Sequence, residues 1–331
     1  MGLYPDLEPY DHGMLDVGDG NDVYWEACGN PRGKPAVVLH GGPGSGCTPY
    51  FRRLFDPVAY RIILLDQRGC GRSTPHASAY GTDMSVNTTA HLIADLELLR
   101  RHLGVGRWLV WGSSWGSVLG LRYAQTHPET VSELVLTGVA TGSNPEVALL
   151  TRGLGRFFPE AFARFLDEVP EDERDGNLAA AYNRLLESPD VEVRARAARA
   201  WTDWETAMSP APPRSVPRYE DPVFRAAFAR IVTHYFSNGH FLGPGNEEGV
   251  ILRDAPLLKG IPGTLVQGSL DLGNLLGTVW RLHQAWPGSE LVIAGDVGHN
   301  VGAPGMQEML VAATDTYAAA DRRGADADTY R

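Results

Sequence analysis

Four short apolar runs, each bounded by Gly, Pro or Asp, recur in the N-terminal part of the chain: AVVL at 36–39, RIILL at 61–65, WLVW at 108–111 and LVLT at 134–137. Their length and continuity predict strands buried on both faces. Between the second and third runs, Leu92, Leu96, Leu99 and Leu103 share one helical face, with Ser85 and Asn87 as caps. A second apolar helix is expected over 118–124, directly after the third run. Strand and helix alternate, which calls for a mostly parallel sheet flanked by helices. From 144 to 254 the pattern changes to helix formers, mixed charges and a Pro-rich stretch, SPAPPRSVPRYEDP, which predicts short helices in an inserted cap. Strand-like runs return at 264–267 and 290–294, then an apolar helix near 305–319 and a polar, frayed tail. The predicted division is a core over 1–143, a helical cap over 144–254 and the rest of the core over 255–331.

Composition narrows the functional classes. A chain of 331 residues has room for one large core with an insertion. The net charge of −11 argues against nucleic acid or an anionic membrane as partner. The N-terminus, MGLYPDLEPYDHGMLD, has no basic region followed by an apolar stretch, and no long uncharged apolar run follows, so a soluble, cytoplasmic protein is expected. Cys28, Cys47 and Cys70 are odd in number and lack metal-ligand spacing, so reduced thiols are expected, with neither a disulfide framework nor a zinc site.

The strongest chemical signal is WLVWGSSWGS, in which Gly112, Ser114 and Gly116 form G-x-S-x-G between a strand and a helix. A serine on so sharp a turn needs small neighbours, and Ser114 is the candidate nucleophile. Its hydroxyl needs a base, and the base needs a third group to fix its tautomer. With the chain order serine, acid, histidine, Asp271 follows one late strand and His299 follows the next. Asp296 is the rival acid, but it would have to fold back sharply to reach a ring three residues away. The oxyanion requires two amide donors: Trp115 supplies one, and Gly42, in the HGGPG loop at 40–44, supplies the other. A phosphate-binding loop is disfavoured because GGPGSGCT lacks the G-K-[ST] ending.

The stretches VYWEACGNP, HGGPGSGC, DPVAYRIILLDQRGCGRS, WGSSWGS, YAQTHPE and WTDWE together resemble the prolyl iminopeptidases of the α/β-hydrolase superfamily. The resemblance implies an α/β-hydrolase fold, a Ser114–Asp271–His299 triad, no cofactor or metal, and release of an N-terminal proline from small peptides. It also implies that cap glutamates hold the free ammonium group, and Glu205 matches the first of them. Where the family carries a second glutamate this chain has Val232, and where the family has an aromatic wall it has Ala140. The arginine and tyrosine that precede the family's catalytic acid are replaced by Ser269 and Leu270. These departures lead us to expect a larger, less anionic pocket walled by Trp201, Trp204 and Tyr235. They raise an alternative: an esterase or amidase acting on a bulkier or N-blocked, peptide-like substrate.

Overall fold

The computed structural model describes residues 2–208, 216–247 and 249–329. Among them, eight strands form one sheet: β1 (Asp11–Asp16), β2 (Asp22–Gly29), β3 (Lys34–Leu39), β4 (Tyr60–Leu65), β5 (Trp108–Ser113), β6 (Val131–Thr137), β7 (Gly263–Gly268) and β8 (Ser289–Ala294). Their spatial order is β1-β2-β4-β3-β5-β6-β7-β8. β2 runs antiparallel to both β1 and β4, and every later pairing is parallel. All residues of β5 and β7 are buried, which is why these segments read as unbroken apolar runs. The sequence reading passes over β1 and β2. β1, DHGMLD, is mostly exposed on both faces and has no apolar run to betray it.

Helices cover the sheet. α1 (Thr89–His102) buries Leu92, Leu96 and Leu99, and α2 (Trp115–Thr126) follows β5 at once. The expected caps of α1 need correction: the side chain of Thr88 accepts from the His91 amide, while Asn87 accepts from the Tyr235 hydroxyl and donates to Arg68 O. α9 (Leu276–Ala285) joins β7 to β8, and α10 (Met306–Thr329) closes the chain, staying helical where a frayed tail is expected. No helix among the described residues is long and apolar enough to cross a membrane.

Between β6 and β7 the chain forms α3 (Asn144–Thr151), α4 (Pro159–Asp167), α5 (Leu178–Leu186), α6 (Val191–Met208), α7 (Pro222–Ser237) and the short α8 (Val250–Arg253). These helices gather an aromatic core of their own. Phe165 stacks on Tyr182 at 4.4 Å, with Trp201 and Trp204 alongside. The start of the Pro-rich stretch, 209–215, lies outside the described residues; beyond it, Pro217 and Pro222 each open a helical segment, as a ring with fixed φ and no N–H favours. The outgoing and returning chains are pinned together by Asn246, whose side-chain Nδ2 donates to Gly142 O (2.7 Å) and Gly239 O (3.0 Å) while its backbone carbonyl accepts from Asn144 N.

Candidate active site

Ser114 sits where β5 turns into α2, with φ 55° and ψ −120°, a conformation that is strained for a residue bearing a Cβ. Its flanking glycines are required sterically. A Cβ on Gly116 would lie 2.0 Å from Leu39 O, and one on Gly112 would lie 2.3 Å from Gly116 O. The Ser114 amide is anchored to Thr137 O at 3.0 Å. Trp115 opens α2, so its amide is one of the donors that a helix N-terminus leaves without an intrahelical partner. Across the site runs the loop after β3, and a Cβ added to Gly41 would stand 3.2 Å from that of Ser114.

The turn after β4, carrying DQRGCGRS, braces both of these elements. Gln67 accepts from the Trp115 indole (2.8 Å) and donates to His40 O (3.2 Å), while its own amide donates to His40 Nε2 (3.0 Å). Asp66 accepts from the Cys47 amide (2.7 Å) and from Arg72 (2.7 Å). The motif thus ties the loop after β3 to the serine turn, a supporting role of the kind precise sites need.

Asp271 and His299 meet from the loops after β7 and β8, with His299 Nδ1 2.7 Å from Asp271 Oδ2. The carboxylate also accepts from the amides of Gly273 and Asn274 and from the Gln267 side chain. Burial opposes its ionisation, but the His299 charge and these hydrogen bonds outweigh burial and lower its pKa. The Asp271 charge in turn raises the His299 pKa against desolvation. Asp296, the rival acid, lies exposed on the surface. Gly138, just past β6, packs flat against the imidazole, and a Cβ there would come within 2.8 Å of Cε1. Ser114 and His299 open onto the same cleft; no hydrogen bond joins hydroxyl and ring, a contact that in such sites commonly tightens only with substrate.

Two cavities meet at these groups. A cleft of about 450 Å³ is lined by Gly42, Ser114, His299, Glu205, Arg218 and Asn300, among others. A smaller one of about 100 Å³ lies against Trp115, Ala140, Glu146, Met208, Phe236 and His240. Gly42, Ser114, Glu205 and His299 line both. Glu205 accepts from the Trp201 indole at 3.2 Å, and burial pushes its pKa up to about 7 against that bond and the nearby His299 and Arg218 charges. Glu146 accepts from the Thr141 amide and hydroxyl, and burial raises its pKa as well. His240, at φ 54°, stacks on Trp115 at 5.4 Å, and burial lowers its pKa to about 4.

Four expected pocket residues stand elsewhere, Trp201 among them: it is buried in the aromatic core of the helical segment and reaches the cleft only through its indole bond to Glu205. Val232 is wholly buried among the aromatic residues of the helical segment. Trp204 belongs to that same core and donates to Leu150 O. Tyr235 packs edge-on against Trp115 at 4.8 Å and donates to Asn87, behind the serine turn rather than in the cleft. Ala140 lines the smaller cavity together with Met208, Phe236 and Leu272. Gly138, Glu146 and His240 escaped the sequence reading. Only the positive-φ geometry at Gly138 and His240 marks them, and the sequence does not print it.

The fold and this arrangement define an α/β hydrolase with a serine nucleophile turn, and residues 34–303 match the alpha/beta hydrolase fold family. The chain is 76% identical to a probable proline iminopeptidase of Streptomyces coelicolor over 318 residues, 96% of this chain and 98% of that one. It is 46% identical to the proline iminopeptidase of Xylella fastidiosa, covering 95% of this chain and 99% of that one. A crystal structure of a Mycobacterium smegmatis proline iminopeptidase shares the fold with a TM-score of 0.61 at 19% identity, over 94% of this chain and all of that one. The chain belongs to the proline iminopeptidase family of α/β hydrolases. These relatives favour that reading over the esterase or amidase alternative.

Proposed function

We propose that this chain releases N-terminal proline from short peptides through an acyl-enzyme. Ser114 attacks the prolyl carbonyl as His299 takes its proton, and the amides of Trp115 and Gly42 stabilise the oxyanion. His299 then protonates the departing amine. Water, deprotonated by the same ring, hydrolyses the ester. Asp271 keeps the ring oriented and offsets its charge. Residues 144–254 act as the cap that covers the acyl group, between core segments 1–143 and 255–331. The substrate is a small peptide met in the cytoplasm, consistent with three unpaired cysteines.

The observation that carries the reading is the smaller cavity, which joins Ser114 to a buried carboxylate at Glu205. A cavity of ~150 Å³ accommodates benzene, so a space of about 100 Å³ suits a five-membered ring. Glu205 supplies the counter-charge that a secondary ammonium needs on leaving water. The test compares a prolyl anilide with its N-acetylated form. The free-amine substrate should be turned over and the blocked one should not, and Ser114→Ala should abolish turnover. Equal turnover of the blocked substrate would overturn the reading.

A further inference from the structure

The larger cleft contains a charge that the acyl-transfer chemistry does not use. Arg218, on the turn Pro217–Glu220, is the one Lys or Arg among the described residues lining it, and it does not line the smaller cavity. No carboxylate among the described residues comes within ion-pairing distance of its guanidinium. The residue is exposed, and its guanidinium makes two contacts beside the cleft. It reaches Ser45 O at 3.5 Å, on the loop that follows Gly42, and its Cζ lies 5.1 Å from the Phe224 ring centre. Aromatic faces of this kind position a cation without neutralising it.

The position of Arg218 relative to the chemistry gives the charge a use. With the prolyl ring in the smaller cavity beside Trp115, the leaving group must extend into the larger cleft. There the chain offers Ser45, Thr48, Asn300 and this cation. Glu205 lines both spaces and Arg218 lines only the larger, so a carboxylate and a cation both border the path proposed for the substrate. That polarity matches a short zwitterion, with its ammonium toward Glu205 and its carboxylate toward Arg218. The planar guanidinium suits a carboxylate, which it can bind through two parallel N–H···O bonds.

We propose that Arg218 is a specificity-determining residue that binds the free α-carboxylate of the leaving amino acid, so that prolyl dipeptides are preferred over their C-terminal amides. The inference rests on the aminopeptidase reading above. Its test measures kcat/KM for prolyl-leucine and prolyl-leucinamide with the full-length protein and with Arg218→Gln and Arg218→Lys. The parent should favour the free acid by about tenfold, chiefly through KM, as one charge-assisted contact supports. Arg218→Gln should bring the ratio close to one, Arg218→Lys should keep part of the preference, and added salt should erode the parent's ratio. An unchanged ratio in Arg218→Gln, or no preference in the parent, overturns the proposal while prolyl-leucinamide turnover leaves the aminopeptidase reading standing. Failure of the parent to cleave either compound would refute that reading and this one together.

Discussion

A single methyl group at Gly138 probes the geometry of the base without removing any functional group. Its Cβ would lie 2.8 Å from His299 Cε1 and 3.1 Å from Nδ1, roughly 0.7 Å inside ordinary carbon contact. The ring is tethered to Asp271 at 2.7 Å, while 37% of its surface opens onto the cleft. Relief therefore comes from swinging the imidazole outward, which stretches the tether and misaims Nε2 at Ser114. A displacement of about 1 Å in a catalytic group costs on the order of a hundredfold in rate, or about 2.7 kcal/mol. The φ of +51° adds a backbone cost of roughly 1–2 kcal/mol for a residue with a Cβ. We expect Gly138→Ala to lose about a hundredfold in kcat on a prolyl anilide, with little change in KM. Thermal unfolding should shift by only a few degrees, and labelling of Ser114 by a fluorophosphonate should slow in parallel. A folded variant whose kcat stays within about twofold of the parent would refute the contact between this glycine and the working imidazole.

Three further predictions follow from the same site. The Asp271 charge raises the His299 pKa and the base acts when neutral, so the acidic limb of kcat/KM should lie above the ordinary imidazole value of 6.5; Asp271→Asn should move it down and cut kcat by roughly 10³–10⁴, read from pH–rate profiles. Glu205 is protonated below about pH 7, so KM for free-amine substrates should rise as pH falls through that value, and Glu205→Gln should raise KM and flatten the dependence. Val232→Glu, which the sequence alone recommends as a gain in ammonium binding, should instead destabilise the helical segment by roughly 3–5 kcal/mol by burying an unpaired charge, with no gain on prolyl substrates; calorimetry and the anilide assay check both parts.

Residues whose placement follows from chain order and local turn chemistry were legible in the sequence. Ser114 is announced by two glycines, and the structure shows why: each lies where a Cβ would collide with a carbonyl oxygen. Asp271 and His299 follow their strands in the order the fold requires, and the structure brings the two within hydrogen-bonding distance. The pocket was far less legible. Side-chain direction on α6 and α7 depends on how the helices pack, so Glu205 faces the cleft while Trp204 beside it turns into the aromatic core. Val232 looked like a lost ammonium ligand because one position was read alone. In space, apolar neighbours surround it, and a different carboxylate, Glu146, enters the small cavity from α3. β1 escaped notice because an exposed edge strand has little apolar pattern to reveal it.

The stitch at Asn246 sets how such a protein can change over evolutionary time. Departure and return of the helical hood are fastened there, but the hood is tied down elsewhere as well: Arg230 donates to Ala77 O and Thr82 O, Tyr235 donates to Asn87, and His240 stacks on Trp115, next to Ser114. A lineage that reshapes what the enzyme accepts by varying the hood therefore meets a limit at α7 and at His240, where a change presses directly on the residue that follows Ser114.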